Sequence, residues 1–328
     1  MQSVETIRLG YNSLYYVCGA DGQVLVDAGP DYDGAWEALV AALDGPPGRV
    51  VITHGHLDHA GLGAQWLAQR VDVALHPADF HLAAGPALAT DAEWAILAGF
   101  IEEAGTPAGV AAPALAALNQ RREWAHRAAS DPAYHEAGRD GRWPTMLRYV
   151  PFSGPQAVGE GSYVGAGLRV VECPGHTPGN IVLVHDREGW LFSGDQLLPS
   201  ITPTPAIQVH RSGEGLARFH SLPQFAASLR RLGETRFSRC YSGHGEPFDN
   251  VGEVIAANLA QIEQRGERVS VTLRERGAAT TYELAEALYP RALARRFWQI
   301  IATVQGQLDI LEEDGRARRE GTEWISLP

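Results

Sequence analysis

The segment 53-THGHLDHAG-61 constrains the fold of this chain more strongly than any other. It places four side chains of metal-binding types within six residues, namely His54, His56, Asp58 and His59. The apolar run 50-VVI-52 comes directly before it and is typical of a buried strand. Because neutral imidazoles and carboxylates are strong ligands for zinc and similar ions, the end of this strand is expected to face a metal site.

Three later segments repeat the pattern of an apolar run followed by a polar side chain beside glycine. They are 174-PGHTPG-179, 193-SGD-195 and 242-SGHGE-246, which supply His176, Asp195 and His244. Active sites of α/β proteins gather at the carboxyl ends of strands, so residues far apart in sequence can meet there. A polar surface loop is the alternative interpretation of 53-THGHLDHAG-61, whereas His176 alone could be a core or loop histidine and Asp195 alone a turn residue. The surface loop is disfavoured because five of the twelve histidines fall on the pattern.

These seven residues can form two adjoining metal sites. The first group would be His54, His56 and His176, and the second would be Asp58, His59 and His244. The first two histidines are two residues apart in an extended segment and can point the same way. Asp195 can bridge two ions that lie about 3.5–4 Å apart and share a hydroxide. Asp58 and Asp195 are assigned a catalytic role as well as a ligand role.

Strands and helices are predicted to alternate through the first part of the chain. Runs at 13–17 and 23–29 flank the turn 19-GADG-22, which predicts a hairpin. A helix is predicted at 33–43, a strand at 49–53, a helix at 60–70 and a strand at 71–76. This alternation indicates an α/β fold.

The sequence resembles the metallo-β-lactamase-fold hydrolases in four features. They are the H-x-H-x-D-H pattern, the isolated histidine in a glycine/proline turn, the aspartate after a strand and the late histidine. The resemblance covers about residues 5–250. It implies an αββα sandwich, in which two sheets pack together with helices outside. It also implies that all seven residues are ligands of a binuclear site.

Two domains are predicted, because 328 residues exceed the usual size of one domain. The hydrolase domain would span 1–252 with a helical insertion at about 77–150, and a smaller domain would span 253–328. The insertion leaves after the strand 71–76 and returns before the strand that precedes His176. It is therefore expected to form a wall or lid that restricts the site to small substrates.

The C-terminal domain is predicted to contain three helices and a hairpin. A helix at about 253–276 precedes a capping box of Thr280 and Glu283, and a helix at 291–313 precedes a hairpin that turns at Gly321. This unit resembles the winged-helix domain of one branch of these hydrolases. That branch includes glyoxalase-II-like proteins and a mitochondrial endoribonuclease.

The leading function is a metal-dependent hydrolase in which a metal-bridging hydroxide attacks small esters, thioesters or lactones. A phosphodiesterase or endoribonuclease that uses the same metals is one alternative, and a non-catalytic winged-helix regulator that binds DNA is another. A β-lactamase proper is disfavoured. Both nucleic-acid functions are disfavoured by charge, since the net charge is −12 and residues 251–328 hold ten arginines and twelve acidic residues.

The expected cofactors are two divalent metal ions, with zinc favoured over manganese or iron. The expected partner is a small-molecule substrate, with neither membrane nor nucleic acid. A homodimer is considered because an apolar stripe from Phe297 to Leu311 is wider than a three-helix unit needs. Three widely spaced cysteines and an N-terminus without a signal pattern predict a cytoplasmic protein.

Overall fold

The computed structural model describes residues 2–84, 90–130, 147–148, 150–200, 206–212 and 215–328. The chain divides into two compact units. The first consists of Met1–Ala87, Trp124–Pro203 and Gly233–Val254, and the second of Leu88–Glu123, Thr204–Leu232 and Ile255–Pro328. None of the described helices is both long and apolar enough to cross a bilayer.

The first unit contains a six-stranded sheet whose strands are arranged in the order in which they occur in the chain. Its strands are β1 (Ser3–Leu9), β2 (Asn12–Gly19), β3 (Gly22–Val26), β4 (Arg49–Val51), β5 (Asp72–Leu75) and β6 (Gln156–Ala157). Strands β1 to β3 are antiparallel neighbours, and β3 to β6 run parallel. The predicted hairpin is confirmed, because β2 and β3 pair down to Gly19 and Gly22 on either side of its turn.

A second sheet in the same unit carries the later strands. They are β7 (Tyr163–Gly165), β8 (Leu168–Glu172), β9 (Ile181–His185), β10 (Trp190–Gly194) and β13 (Arg239–Ser242). The two strands between β10 and β13 in the chain, β11 (Gln208–Ser212) and β12 (Gly215–Phe219), belong to the second unit. The order is β13-β10-β9-β8-β7. Strand β9 runs antiparallel to β8 and β10, and β13 runs parallel to β10. Strands β8, β10 and β13 therefore end at the same edge.

Side-chain alternation along β2 shows how the layers are built. Tyr15 and Val17 are buried in the cluster that joins the two sheets. Leu14 and Tyr16 point to the opposite face and are buried beneath helices, as the two-residue period of a strand requires. The helices of the unit that follow these strands are α1 (Ala35–Ala42), α2 (Leu57–Ala60), α3 (Gly63–Ala68) and α4 (Phe80–Ala84). This arrangement is a mixed α/β fold with two facing sheets.

The helix predicted at 60–70 is confirmed as α3 with narrower bounds, because a break after α2 delays its start to Gly63. At the break the Leu62 N–H donates to the Gly29 carbonyl at 2.9 Å instead of continuing the helix. A Cβ at Gly61 would lie 2.7 Å from the backbone nitrogen of Asp31. The close approach of the segment 29–31 thus diverts the backbone at this point.

The second unit is built mainly from helices. They are α5 (Asp91–Glu103), α6 (Ala108–Ser130, to residue 123 in this unit), α7 (Ser221–Gly233), α8 (Val251–Arg276), α9 (Thr281–Leu288), α10 (Pro290–Leu293) and α11 (Phe297–Glu313). Its strands β14 (Ala278–Thr280), β15 (Ala317–Glu320) and β16 (Glu323–Ser326) form a sheet in the order β14-β16-β15. The predicted hairpin is confirmed, with its turn at Gly321.

The predicted capping box begins α9. Thr280 Oγ1 accepts a hydrogen bond from the Glu283 N–H at 3.1 Å, and the Glu283 carboxylate accepts one from the Thr280 N–H at 2.8 Å. These two bonds satisfy backbone donors that a helix start leaves free. They fix the point at which β14 becomes helix.

The apolar stripe of α11 has a partner within the chain. Ile301, Val304 and Leu308 are buried in one cluster with Phe100 of α5 and Ala104. The width of the stripe therefore reflects packing against a helix from the predicted insertion. The width of the stripe no longer supports a homodimer. The homodimer stays a prediction, but the stripe is not an argument for it.

The predicted boundary at 252/253 also stays a prediction. The division by contacts places residues 88–123 and 204–232 with the C-terminal segment. Of the predicted insertion at 77–150, α4, α5 and α6 are helical as expected, whereas residues 85–89, 131–146 and 149 lie outside the described part of the chain.

Candidate metal centre

The predicted ligands come from one edge of each sheet in the first unit. β4 ends just before the segment that carries His54 and His56, and Asp58 and His59 lie in α2. From the second sheet, the residues that follow β8, β10 and β13 are His176, Asp195 and His244. The structure thus brings all seven predicted residues together, although nearly two hundred positions separate the first from the last.

The first group consists of three imidazoles, those of His54, His56 and His176, whose nitrogens converge on one point. His54 Nε2 lies 3.1 Å from His56 Nδ1, and His176 Nε2 lies 3.0 Å from the same atom. One nitrogen from each ring lies within 4.8 Å of the others. Three nitrogens at this spacing can bind one face of a metal ion and leave a position open.

The second group combines one carboxylate with two imidazoles. Asp58 Oδ2 lies 3.6 Å from His59 Nε2 and 3.4 Å from His244 Nε2. Asp58 Oδ2 also accepts a hydrogen bond from Asn12 Nδ2 at 3.2 Å, which helps to orient the carboxylate. Oxygen and nitrogen ligands of this kind suit zinc, manganese and iron.

Asp195 lies between the two groups and presents one oxygen to each. Its Oδ2 lies 3.5 Å from His176 Nε2, whereas its Oδ1 lies 3.4 Å from His59 Nε2 and 3.3 Å from His244 Nε2. Gly243 leaves room for this arrangement, because a Cβ there would lie 2.8 Å from Asp195 Oδ1 and 2.6 Å from His59 Cε1. The glycine of the 242-SGH-244 segment is thus a steric requirement of the site.

Two buried atoms of the centre lack hydrogen bonds among the described residues. They are Asp195 Oδ1 and His59 Nε2. A buried polar atom without a partner costs about 1–3 kcal/mol, and such atoms in folded proteins need an explanation. A cation at this position would bind both atoms, so the residues present fit a metal ion at the second group.

The protonation of the two groups differs. In the first group, burial lowers the pKa of His54 well below its usual range and that of His176 to about 3, with repulsion between neighbouring imidazoles adding to the effect. Burial also lowers the pKa of His56. All three rings are therefore neutral, which is the form that binds metals.

In the second group, neighbouring carboxylates reverse the effect of burial. Burial opposes the charged form of His59, but Asp27, Asp58 and Asp195 raise its pKa well above the usual value. Burial likewise opposes the charged form of His244, but the nearby carboxylates of Asp195 and Asp58 raise its pKa to about 9. Without a cation these imidazoles hold protons, which metal binding would displace.

Asp27 orients two of the histidines and was not among the predicted site residues. His59 Nδ1–H donates to Asp27 Oδ2 at 2.8 Å, so Nε2 is left to face the centre. Thr53 donates to Asp27 Oδ1 through its N–H at 2.7 Å and its hydroxyl at 2.9 Å, and Thr53 Oγ1 lies 3.1 Å from His54 Nδ1. The signal was present, since Asp27 follows β3 and precedes Gly29 in the same pattern as the predicted ligands.

Two tyrosines near the centre, Tyr11 and Tyr15, differ in what they contact. Tyr15 is buried between the sheets, and its hydroxyl donates to the Ser242 carbonyl at 2.7 Å. Tyr11 stacks on the ring of His244, with ring centroids 4.3 Å apart. His244 Nδ1–H donates to the Tyr11 carbonyl at 3.2 Å, which leaves Nε2 free to face the centre. Tyr15 is thus a packing residue of the core, whereas Tyr11 holds a predicted ligand in place.

Comparison with known proteins identifies the family. Residues 7–244 match the model of the metallo-beta-lactamase superfamily, so the chain belongs to this superfamily. It is 25% identical over 314 residues to the probable metallo-hydrolase YqjP of Bacillus subtilis, covering 92% of this chain and 88% of that protein. The chain is therefore a metallo-hydrolase of the metallo-beta-lactamase superfamily.

Solved structures agree on the fold. The metallo-beta-lactamase family protein TTHA1429 of Thermus thermophilus superposes with a TM-score of 0.71 at 23% identity, covering 99% of this chain and 98% of that one. A beta-lactamase domain protein of Burkholderia ambifaria gives a TM-score of 0.69 at 21% identity, covering 99% of this chain and 92% of that one. At this identity the likeness shows the fold alone.

One similar group of proteins carries a more specific name. The chain is 27% identical over 170 residues to the atrochrysone carboxyl ACP thioesterase of Aspergillus fumigatus, covering 47% of this chain and 50% of that protein. It is 29% identical over 131 residues to the thioesterase pkgB of Emericella nidulans, covering 39% of this chain and 34% of that protein. This chain thus spans half or less of these relatives.

Proposed function

We propose that the protein is a binuclear metal-dependent hydrolase of small esters, thioesters or lactones. The position of Asp195 carries the proposal, because one carboxylate oxygen faces the first group and the other faces the second. A bridging carboxylate needs this division of its two oxygens. Its anionic charge would also offset part of the charge of two nearby cations.

The residues of the chain would divide the work. His54, His56 and His176 would hold one ion, and Asp58, His59 and His244 would hold the other. When bound, two divalent ions would lower the pKa of a shared water and polarise the oxygen of the bond to be cleaved. Zinc is the favoured metal, with manganese or iron as alternatives given the nitrogen and oxygen ligands.

The hydrogen bonds around the ligands would keep them in position for this chemistry. Asp27 and the Tyr11 carbonyl hold the Nδ1 atoms of His59 and His244, so each ring presents Nε2 to the centre. Asn12 restrains Asp58, the second carboxylate to which we assign a catalytic role. Ligands fixed before binding lose less conformational freedom when the metal and substrate bind.

A thioester is the substrate class that the relatives favour. Several similar proteins are named as thioesterases, including two atrochrysone carboxyl ACP thioesterases. We extend only the bond type to this chain, because the identity is below 30% and the matched region is partial. We also propose that the predicted insertion forms a wall that excludes large substrates. We propose further that residues 253–328 form a winged-helix domain.

A substrate panel tests this function. The protein, reconstituted with Zn²⁺, would be assayed on acyl thioesters, lactones, aryl esters, a phosphodiester and structured RNA, beside the D195N variant prepared in the same way. Hydrolysis of small acyl substrates that D195N loses would support the proposal. Efficient RNA cleavage together with inertness towards every acyl substrate would replace it with the nuclease function.

A further inference from the structure

Asp79 is a buried carboxylate beside the metal centre that belongs to neither ligand group. It ends the 3₁₀ turn Pro77–Asp79, directly after β5, and its exposed fraction is 0%. It was not among the residues predicted to have a role in the site. A charge buried this completely must be balanced by hydrogen bonds.

Three donors surround the Asp79 carboxylate. Its Oδ2 accepts from the Gly55 N–H at 2.9 Å and from the Thr177 hydroxyl at 2.6 Å. Its Oδ1 accepts from the Gly179 N–H at 2.7 Å. Hydrogen bonds to an ionised acceptor are about twice as strong as neutral ones, so this carboxylate holds its donors firmly.

The three donors belong to the two segments that carry the first ligand group. Gly55 lies between His54 and His56, and Thr177 is the residue after His176. One carboxylate therefore joins a segment of the first sheet to a segment of the second. It does so next to the point at which His56 Nδ1 and His176 Nε2 lie 3.0 Å apart.

Both glycines are required by this close approach. A Cβ at Gly55 would lie 2.6 Å from Leu82 Cβ, and a Cβ at Gly179 would lie 2.7 Å from the backbone nitrogen and Oδ1 of Asp79. Contacts below 3.0 Å would force the packed segments apart at both positions. Gly179 thus makes room for Asp79, and Gly55 makes room for Leu82 next to it.

We propose that Asp79 is a positioning residue that sets the spacing of His54, His56 and His176 and thereby the affinity of the first metal site. The proposal rests on the two-metal function. It predicts a selective effect, because the described hydrogen bonds that orient the second group come from other residues. In these bonds His59 donates to Asp27, Asn12 donates to Asp58, and His244 donates to the Tyr11 carbonyl.

The test compares D79N with D309N. Asp309 is also a buried carboxylate with several hydrogen bonds, but it lies in α11 of the second unit. Zn²⁺ would be titrated into each metal-free protein in competition with a chromophoric chelator, and thermal unfolding of the metal-free forms would be recorded in parallel. In D79N, an amide NH₂ replaces one of the acceptor oxygens that the three donors need.

The expected result separates positioning from stability. The original protein should bind two Zn²⁺ ions, and D79N should bind one of them about 10-fold or more weakly. D309N should keep both affinities even if its unfolding midpoint falls. In a H176A background, which already lacks a ligand of the first group, D79N should have no further effect on the remaining site.

Four outcomes decide the inference. Unchanged Zn²⁺ affinities in D79N, or equal weakening at both sites, would overturn it. If D79N does not fold, T177V removes one of the three hydrogen bonds at nearly constant shape and must still weaken one site, with T177S restoring it. Failure of the original protein to bind two ions would instead overturn the two-metal function, and this inference with it.

Discussion

Two buried carboxylates, Asp309 in the second unit and Asp195 in the first, differ in how their oxygens are satisfied. Asp309 accepts two hydrogen bonds from Arg218, at 2.7 and 2.8 Å, and one from Gln305 at 2.7 Å. Asp195 faces three imidazoles at 3.3–3.5 Å, and its Oδ1 has no hydrogen-bond partner among the described residues. The first is a completed network, whereas the second has the geometry of a ligand.

The network around Asp309 continues through neutral groups. Gln305 accepts a hydrogen bond from the Thr281 hydroxyl at 2.9 Å, and Thr281 Oγ1 accepts one from Trp324 Nε1 at 3.1 Å. Each donor is thus paired with an acceptor of the protein. Burial of a polar group alone therefore does not mark a functional site, and the state of its hydrogen bonds is the more informative property.

The largest effect is expected for D195N. An amide has no anionic charge and only one acceptor oxygen, so it would weaken both metal sites. Turnover on the substrate identified by the panel should fall by about 100-fold or more, while circular dichroism shows an intact fold. Near-normal turnover with normal metal content would reject the bridging role.

H176A should impair one site rather than both. It removes one of three imidazoles from the first group and leaves Asp58, His59 and His244 intact. Elemental analysis after dialysis should then give about one metal ion per chain, with most activity lost. Retention of two ions under the same conditions would show that His176 is not a ligand.

D309N should affect stability without affecting the metal centre. Leaving the Arg218 charge without its full partner in a buried site should lower the free energy of unfolding by about 3 kcal/mol. Urea denaturation of the metal-free protein measures this change, and metal content provides the internal comparison. A loss of metal affinity in D309N would contradict the conclusion that Asp309 is structural and that Asp195 is the ligand.

The smallest effect is expected for duplex DNA, which should bind weakly or not at all. The arginines near the predicted hairpin are already paired with acids, Arg316 with Glu267 at 2.9 Å and Arg319 with Glu103 at 3.0 Å. Pairing of this kind leaves few charges to replace the counterions of DNA. A gel shift that shows tight, salt-sensitive binding would contradict the expectation.

The seven candidate ligands could be predicted because each follows an apolar run and lies within three residues of a glycine. The same rule would also have identified Asp27 after β3. Asp79 is harder to predict, because it follows the end of β5 by four residues and its donors come from two distant segments. Their convergence on one carboxylate is a tertiary property.

The second unit was less predictable for the same reason. The capping box of α9 and the hairpin β15–β16 are local patterns and were predicted. The hairpin β11–β12 and the helix α7 were not, and periodicity gave no indication that residues 88–123 and 204–232 would join the C-terminal segment. The contact of Phe100 with the α11 stripe depends on packing between segments that local sequence does not specify.

The metal content of the purified protein tests the central claim most directly. The protein would be stripped with a chelator, reconstituted with Zn²⁺, dialysed and analysed for metal against protein concentration. The arrangement of the two groups around Asp195 predicts two ions per chain, with fewer in D195N. A stoichiometry near zero after reconstitution would contradict the claim that these seven residues form a binuclear metal centre.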